Sequence, residues 1–508
     1  MMKFETIIIA IIGVLMLFDT ELFYYASMSQ YFLFCVAAII LFVIGLIRFL
    51  NNPLHTFSGI ELAFLTWGIF IIIRGLTTNN EQYRLLYLIC CYLMFQGITW
   101  LMREKRISMQ RIKSLLIGLS SVESVVCIFQ WFGILESNIP LFKVSGTWDS
   151  PNVTAMFIAL SQPLLIEKLL HSQNKSRLTL SLLFILNLAA LLTINCRTAY
   201  IGLAASCIIQ YSIHLEYLKK IKRMHHWKII TLGIFFLTFC TWGLYELYKM
   251  KQPSADGRIF IWKTSLSMIA NKPIKGYGYG MFEKEYYLKQ NEYLLQEEST
   301  AIERKNARHV FMCYNDFLEQ AIEGGILSAV LYLSILIIAL WCSIRQTEYI
   351  SMFIIGNAIW MSTVNFFTQA VPLMFILLLF LAYVASNSNV RTIRKKYLIH
   401  CTALFGVAVF LICTLSLVRK FNVQQAIKQS VIIRKQDLHE ALHIMEKQEK
   451  NAETSECFWR IYGKLLLQAK DYKRAQVVLE QARKYTSNPS VLKDLERCKQ
   501  LQSDINTN

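Results

Sequence analysis

Apolar runs of roughly 20 residues, the length that crosses a bilayer core, recur along this chain and leave it few folds. They begin near Thr6, Tyr31, Ile60, Leu85, Ser114, Val153, Leu178, Thr198, Trp227, Ile326, Tyr349, Val371 and Leu398, which makes about thirteen spans. With 55% of its 508 residues hydrophobic and a mean hydropathy of +0.40, the chain is too apolar for a water-soluble core with a wet surface. The expected fold is all-α and polytopic, embedded in a lipid bilayer. The first run, "TIIIAIIGVLMLF", lacks a following small-residue cleavage site and reads as a span, not a leader.

The net charge of +18 raises nucleic acid as a partner, but the basic residues flank apolar runs and so report topology instead. The clusters "REKRISMQRIK", "EKLLHSQNKSR", "KKIKRMHHWK" and "NSNVRTIRKKY" follow the fourth, sixth, eighth and twelfth runs. All four fall on one side when the N-terminus is cytoplasmic, as the excess of positive charge on that side requires. The 13 cysteines lie mostly inside apolar runs, without CxxC or Cys/His ligand spacing. No zinc site and no disulfide scaffold is expected, and Cys457 and Cys498 are the candidate pair.

The opposite side then collects "ESNIPLFKVSGTWDSPN", the short "NCRT", a long loop over about 248–313, and everything after Leu417. A connector of that length exceeds what joining two spans needs and is expected to be functional. The boundaries that follow are a membrane domain over 1–418 and an extracytoplasmic domain over 419–508. In the latter, "CFWRIYGKLLLQAKDYKRAQVVLEQARKYTSNP" has the large and small packing positions of a tetratricopeptide repeat, with Trp459, Tyr462, Gly463, Ala475, Leu479 and Ala482. Ala441 precedes Ala475 by one 34-residue period. A generic amphipathic helical hairpin fits the same pattern.

Four polar stretches share that side: "VSGTWDSPN", "NCRTAYIG", "DGRIFIWKTSLSMIANKPIKGYGYGMF" and "ARHVFMCYNDFLEQAIEGG". In this order and between these spans they resemble the O-antigen ligase family of polytopic glycosyltransferases, over roughly 143–385. The resemblance implies an all-helical fold with a periplasmic catalytic loop in a bacterial inner membrane. It further implies transfer of a glycan en bloc from an undecaprenyl pyrophosphate donor to a lipid A-core, protein or glycan acceptor, with no cofactor.

A departing pyrophosphate carries several negative charges, and guanidinium groups bind such oxygens bidentately. Arg197 and Arg258 are the candidates for that role, with Lys263 and Lys275 as supporting positive charge. If the arginines neutralise the leaving group, no metal is needed, and Asp256 has no second carboxylate beside it in the sequence. An interfacial arginine and solvated loop charges are the plainer readings of these residues. The glycines of "GYGYG" suit a close chain approach better than a phosphate nest.

The fourth stretch departs from the family. Tyr314 stands before Asn315 where a histidine, taken to be the base for the acceptor hydroxyl, is usual. A phenol is a poor general base at neutral pH. His309, Asp316 or Glu319 can take the proton instead, or Tyr314 only positions the acceptor. The catalytic candidates are therefore Asp316, His309 and Tyr314, with Asn315 and Glu323 in support. Competing readings are an O-antigen polymerase of the same chemistry, a small-anion transporter, for which the intramembrane Glu123 speaks, and an inactive assembly scaffold whose C-terminal repeat binds a protein partner.

Overall fold

The computed structural model describes residues 4–15, 22–51, 56–78, 82–214, 248–249, 252–295, 299–307, 309–388, 391–392, 396–452 and 454–507. The run near Trp227 and the cluster "KKIKRMHHWK" lie outside the described residues. Every other expected run is a helix: α1 (Phe4–Leu15), α2 (Ala26–Asn51), α3 (Gly59–Thr77), α4 (Gln82–Arg103), α5 (Met109–Trp131), α6 (Pro151–His171), α7 (Asn174–Ile194) and α8 (Arg197–His214). After the long loop come α13 (Ile326–Arg345), α14 (Tyr349–Val364), α15 (Val371–Asn387) and α16 (Lys396–Ile433). Among the described residues, 8 helices are long and apolar enough to cross a membrane, and α1, α14 and α15 are shorter apolar helices. The protein is a polytopic helical membrane protein.

The run "VPLMFILLLFLAYVA" has no polar face, and α15 accordingly sits inside the bundle, with Leu373, Leu377, Phe380 and Val384 all buried. Helices α2 and α4 touch backbone to backbone where Gly45 meets Gly97; a Cβ on Gly97 would lie 2.6 Å from the carbonyl oxygen of Leu41. Small residues permit this contact, which in lipid replaces the hydrophobic drive with dispersion.

Hydrogen bonds at one end of the bundle show how the helices alternate. Arg103 donates to the carbonyl of Thr56 and to that of Ala385, and Gln346 donates to the carbonyl of Val384. A two-residue antiparallel pairing joins Thr56–Phe57 to Arg391–Thr392 beside them. At the other end lie the starts of α4, α6, α8, α13 and α15, together with the described residues between 252 and 325. These form α9 (Gln252–Asn271), α10 (Phe282–Leu294), α11 (Ala301–Asn306) and α12 (Asp316–Gly324).

Helix α16 carries the chain into four further helices, α17 (Leu438–Glu446), α18 (Glu456–Gln468), α19 (Tyr472–Arg483) and α20 (Pro489–Thr507). Asp437, Ser455 and Asp471 cap the first three through their side-chain oxygens. Their core, with Phe458, Tyr462, Leu465, Ala475 and Leu479, is separate from that of the bundle. The candidate pairing of Cys457 with Cys498 is not present: both are free thiols. Cys498 belongs to the core of these helices, whereas Cys457 faces Tyr25 beside α2.

Candidate active site

A cavity of about 1000 Å³ opens at the end of the bundle where the polar stretches lie. Each stretch is brought there by a definite local cause. Glu123 and Gln130, on α5, hold the first: Glu123 accepts from Thr147 N at 2.7 Å and from its hydroxyl at 3.0 Å, and Gln130 Oε1 accepts from Ser145 N and Gly146 N at 3.0 and 2.8 Å. The intramembrane Glu123 thus fixes the turn that presents Trp148 and Asp149 to the cavity.

The second stretch is a tight reversal. Asn195 takes a left-handed φ of 56° to end α7, and α8 begins at once with Arg197. In the third, Arg258, Ile261, Ser265 and Met268 follow helical spacing on one face of α9. Ile261 and Met268 join Phe282, Tyr286, Cys313 and Ile322 in a small core, and Trp262 Nε1 donates to the carbonyl of Cys313 at 3.1 Å. This core draws the fourth stretch against the third.

Arg197, Arg258, His309 and Tyr314 therefore line one cavity. Arg197 Nη1 donates to the carbonyl of Tyr248 at 3.4 Å. Arg258 donates to the carbonyl of Val364, and its guanidinium lies over the Tyr314 ring. Among the described residues no carboxylate forms an ion pair with Arg258. Burial and the nearby positive charge of Arg197 lower its pKa, opposed by Tyr314 and Cys196. The starts of α6, α8, α9 and α15 also reach the cavity wall, and the partial positive charge at helix N-termini adds to the field there.

The other expected residues lie elsewhere. Asp316 is buried, and its carboxylate accepts from Thr368 N and from the Thr368 hydroxyl, both at 2.9 Å. Asn315 is the N-cap of α12, accepting from Leu318 N at 3.0 Å and donating to the carbonyl of Thr363 at 2.9 Å. Glu323 accepts from Gly280 N at 2.8 Å and pairs with Arg84 at 3.5 Å. Lys263 pairs with Glu303 at 2.7 Å on the surface, and the exposed Lys275 offers its carbonyl to Arg74. None of these five side chains lines the cavity. No group of three or more His, Cys, Asp or Glu among the described residues is arranged to hold a metal.

Three residues that matter here carry weak sequence signals. Arg84 pairs with Glu319 at 3.2 Å as well as with Glu323, so one α4 arginine holds the buried face of α12. At the start of an apolar run it has the look of an interfacial anchor. Glu319 also accepts from Cys313 N at 3.0 Å and from the Gln369 side chain. Glu283, in the charged "FEKEYY", reads as part of a solvated helix face, yet it contacts His309.

The "GYGYG" turn is a close approach and not part of the cavity. Tyr277 N and Gly278 N donate to the carbonyls of Ile322 and Glu323 at 2.8 and 2.9 Å, and Ile326 N donates to that of Pro273 at 2.8 Å. Gly276 and Gly325 both have positive φ, 62° and 86°, where the two chains cross.

Fold and cavity together define a polytopic helical membrane protein with a positively charged chamber at one end of its bundle. Residues 182–333 match the family model described as O-antigen ligase. The match spans the stretches that carry Arg197, Arg258, His309 and Tyr314, and it supports a glycan-transfer function of the ligase or polymerase kind. No curated protein matches the chain.

Proposed function

We propose that this protein transfers a glycan en bloc from undecaprenyl pyrophosphate to an acceptor hydroxyl, at the periplasmic face of a bacterial inner membrane. The observation that carries the reading is the pair of arginines on one cavity, Arg258 having no carboxylate ion-pair partner among the described residues. A half-buried cation without such compensation favours an anionic ligand, and guanidinium groups match the oxygens of a pyrophosphate. Stabilising the charge that develops on the leaving group is the main electrostatic task of such a transfer. Attack from the face opposite the pyrophosphate inverts the anomeric centre, and with Arg197 and Arg258 on the leaving group the step is metal-independent.

His309 is the cavity residue suited to take the acceptor proton. Tyr314 orients Arg258, and Asp316, Asn315 and Glu323 hold the helix behind it. The C-terminal helices over 419–508 form a tetratricopeptide-like unit that recruits the acceptor or a partner protein on the same side.

The test is a deletion strain complemented with wild type, Arg197→Ala or Arg258→Ala, with carrier-linked and mature surface glycan extracted side by side. Full-length glycan accumulating on the carrier supports en bloc transfer. Single repeats left on the carrier identify a polymerase, and wild-type behaviour of both variants rules out the arginine site.

A further inference from the structure

In the glycan-transfer reading His309 takes the acceptor proton, and among the described residues it is the loop helix α10 that holds its ring. Its Nε2 lies 2.6 Å from Oε1 of Glu283 on α10. Its ring sits edge-on to Tyr287 and Phe311, with centroids 5.7 and 4.7 Å away. The same carboxylate is gripped from the far side by the C-terminal helices. The Thr486 hydroxyl, in the turn between α19 and α20, is 3.0 Å from each Glu283 oxygen. Ser487 donates to the neighbouring Lys284 carbonyl at 3.1 Å, and Thr486 and Ser487 are both buried in this contact. A hydroxyl from the C-terminal unit, a carboxylate from the loop and an imidazole on the cavity wall thus form one chain of hydrogen bonds.

We propose that Glu283 and Thr486 are positioning residues for His309, through which the C-terminal helices govern the proton acceptor of the transfer site. The proposal rests on the glycan-transfer reading. With Nε2–H donating to Glu283, the neutral imidazole keeps its lone pair on Nδ1. The acceptor oxygen bonds to the anomeric carbon as the bond from that carbon to the pyrophosphate oxygen breaks. The bonding pair leaves with the pyrophosphate towards Arg197 and Arg258, and the hydroxyl proton passes to Nδ1.

An ionised Glu283 fixes the ring and stabilises the imidazolium that results. Burial raises the Glu283 carboxyl above its ordinary range; the Thr486 hydroxyl and His309 oppose this, and Glu456 on α18 adds to it. Thr486 therefore helps keep the carboxylate charged. A partner that shifts the α19–α20 turn withdraws that hydroxyl and slackens His309 without entering the cavity.

The test uses deletion-strain membranes, which hold both the accumulated carrier-linked glycan and its acceptor, with full-length purified protein added. Initial rates of glycan loss from the carrier are read against donor amount. Glu283→Gln is expected to lower the maximal rate by about 100-fold and Thr486→Val by about 5-fold, each with unchanged half-saturating donor. Thr486→Ser, which retains the hydroxyl, restores the rate. A wild-type rate for Thr486→Val, an equal deficit in Thr486→Ser, or a deficit confined to half-saturation overturns the proposal. Wild type and Arg258→Ala separate the two readings: if wild type removes no glycan from the carrier the glycan-transfer reading fails, and if wild type transfers and Arg258→Ala is inactive while Glu283→Gln and Thr486→Val keep the wild-type rate, only the positioning chain fails.

Discussion

Arg258 lies against the face of Tyr314, its guanidinium carbon 4.9 Å from the ring centroid. Tyr314 reaches this position from a left-handed φ of 55°, a conformation that costs a bulky residue about 1–3 kcal/mol. The backbone turn aims the ring at the arginine, and Phe366 packs edge-on behind it at 5.7 Å. The tyrosine at this point of the stretch thus lies in place as a platform for the Arg258 cation.

The platform predicts a particular order among variants. Tyr314→Phe keeps the ring and retains transfer, whereas Tyr314→Leu removes the cation–π contact and slows it about 10-fold. Arg258→Lys keeps the charge but loses the planar fork, and is slowed more than Tyr314→Leu. Measuring rates for the three in membranes checks the order; a Tyr314→Phe deficit as large as that of Tyr314→Leu would mean that the hydroxyl, not the ring, does the work.

The crossing of the "GYGYG" turn and the end of α12 leaves no space for a side chain. A Cβ on Gly276 would stand 2.4 Å from the carbonyl oxygen of Glu323, at a positive φ, and one on Gly325 2.2 Å from that of Ile274. Both obstacles are backbone and cannot swing aside. Gly276→Ala and Gly325→Ala are each expected to destabilise the protein by about 2–4 kcal/mol. Gly118→Ala, where a Cβ meets nothing within 4 Å, is the neutral control, and thermal unfolding in detergent compares them.

Among the described residues, Arg84 is the one cation that pairs with Glu319 and Glu323, and all three side chains are at most 8% exposed. Arg84→Met leaves two buried carboxylates without their counter-charge, at about 3–5 kcal/mol. Adding Glu319→Gln to that variant recovers part of the loss. Additive destabilisation in the unfolding temperatures of the single and double variants would show that the pair is not energetically coupled.

The spans were legible because bilayer thickness imposes a length and a composition on every one of them, and α15 could be read from a run with no polar face. Arg197 and Arg258 stood out through the motifs they sit in and not through residue type, for which an interfacial arginine and a solvated loop charge are the plainer readings; the structure places both on one cavity wall. Asp316 was not: its type and spacing suit a base, but Thr368, 52 residues away, engages both of its oxygens. Glu283 was hidden for the converse reason. Its contacts come from His309 and Thr486, one of them 203 residues distant, and no local pattern announces a contact between helices so far apart in the chain.

The burial of Asp316 has a consequence that varies with pH. Burial, and then the charge of Glu319, raise its carboxyl to about 7 against the opposing bonds from Thr368. Because the folded form binds this proton more tightly than the unfolded chain, where the group titrates near 3.8, stability from this group is full below that lower value. It is lost as pH rises towards the upper one, by at most about 1.4 kcal/mol per pH unit. In Asp316→Asn the amide carbonyl still accepts from Thr368 N, but no proton is gained or lost there. Unfolding temperatures taken from pH 5 to 8 should therefore favour wild type over the variant increasingly as pH falls, with the change concentrated below about pH 7. A difference that stays constant across that range would mean that Asp316 is ionised throughout and that Arg84 compensates all three α12 carboxylates.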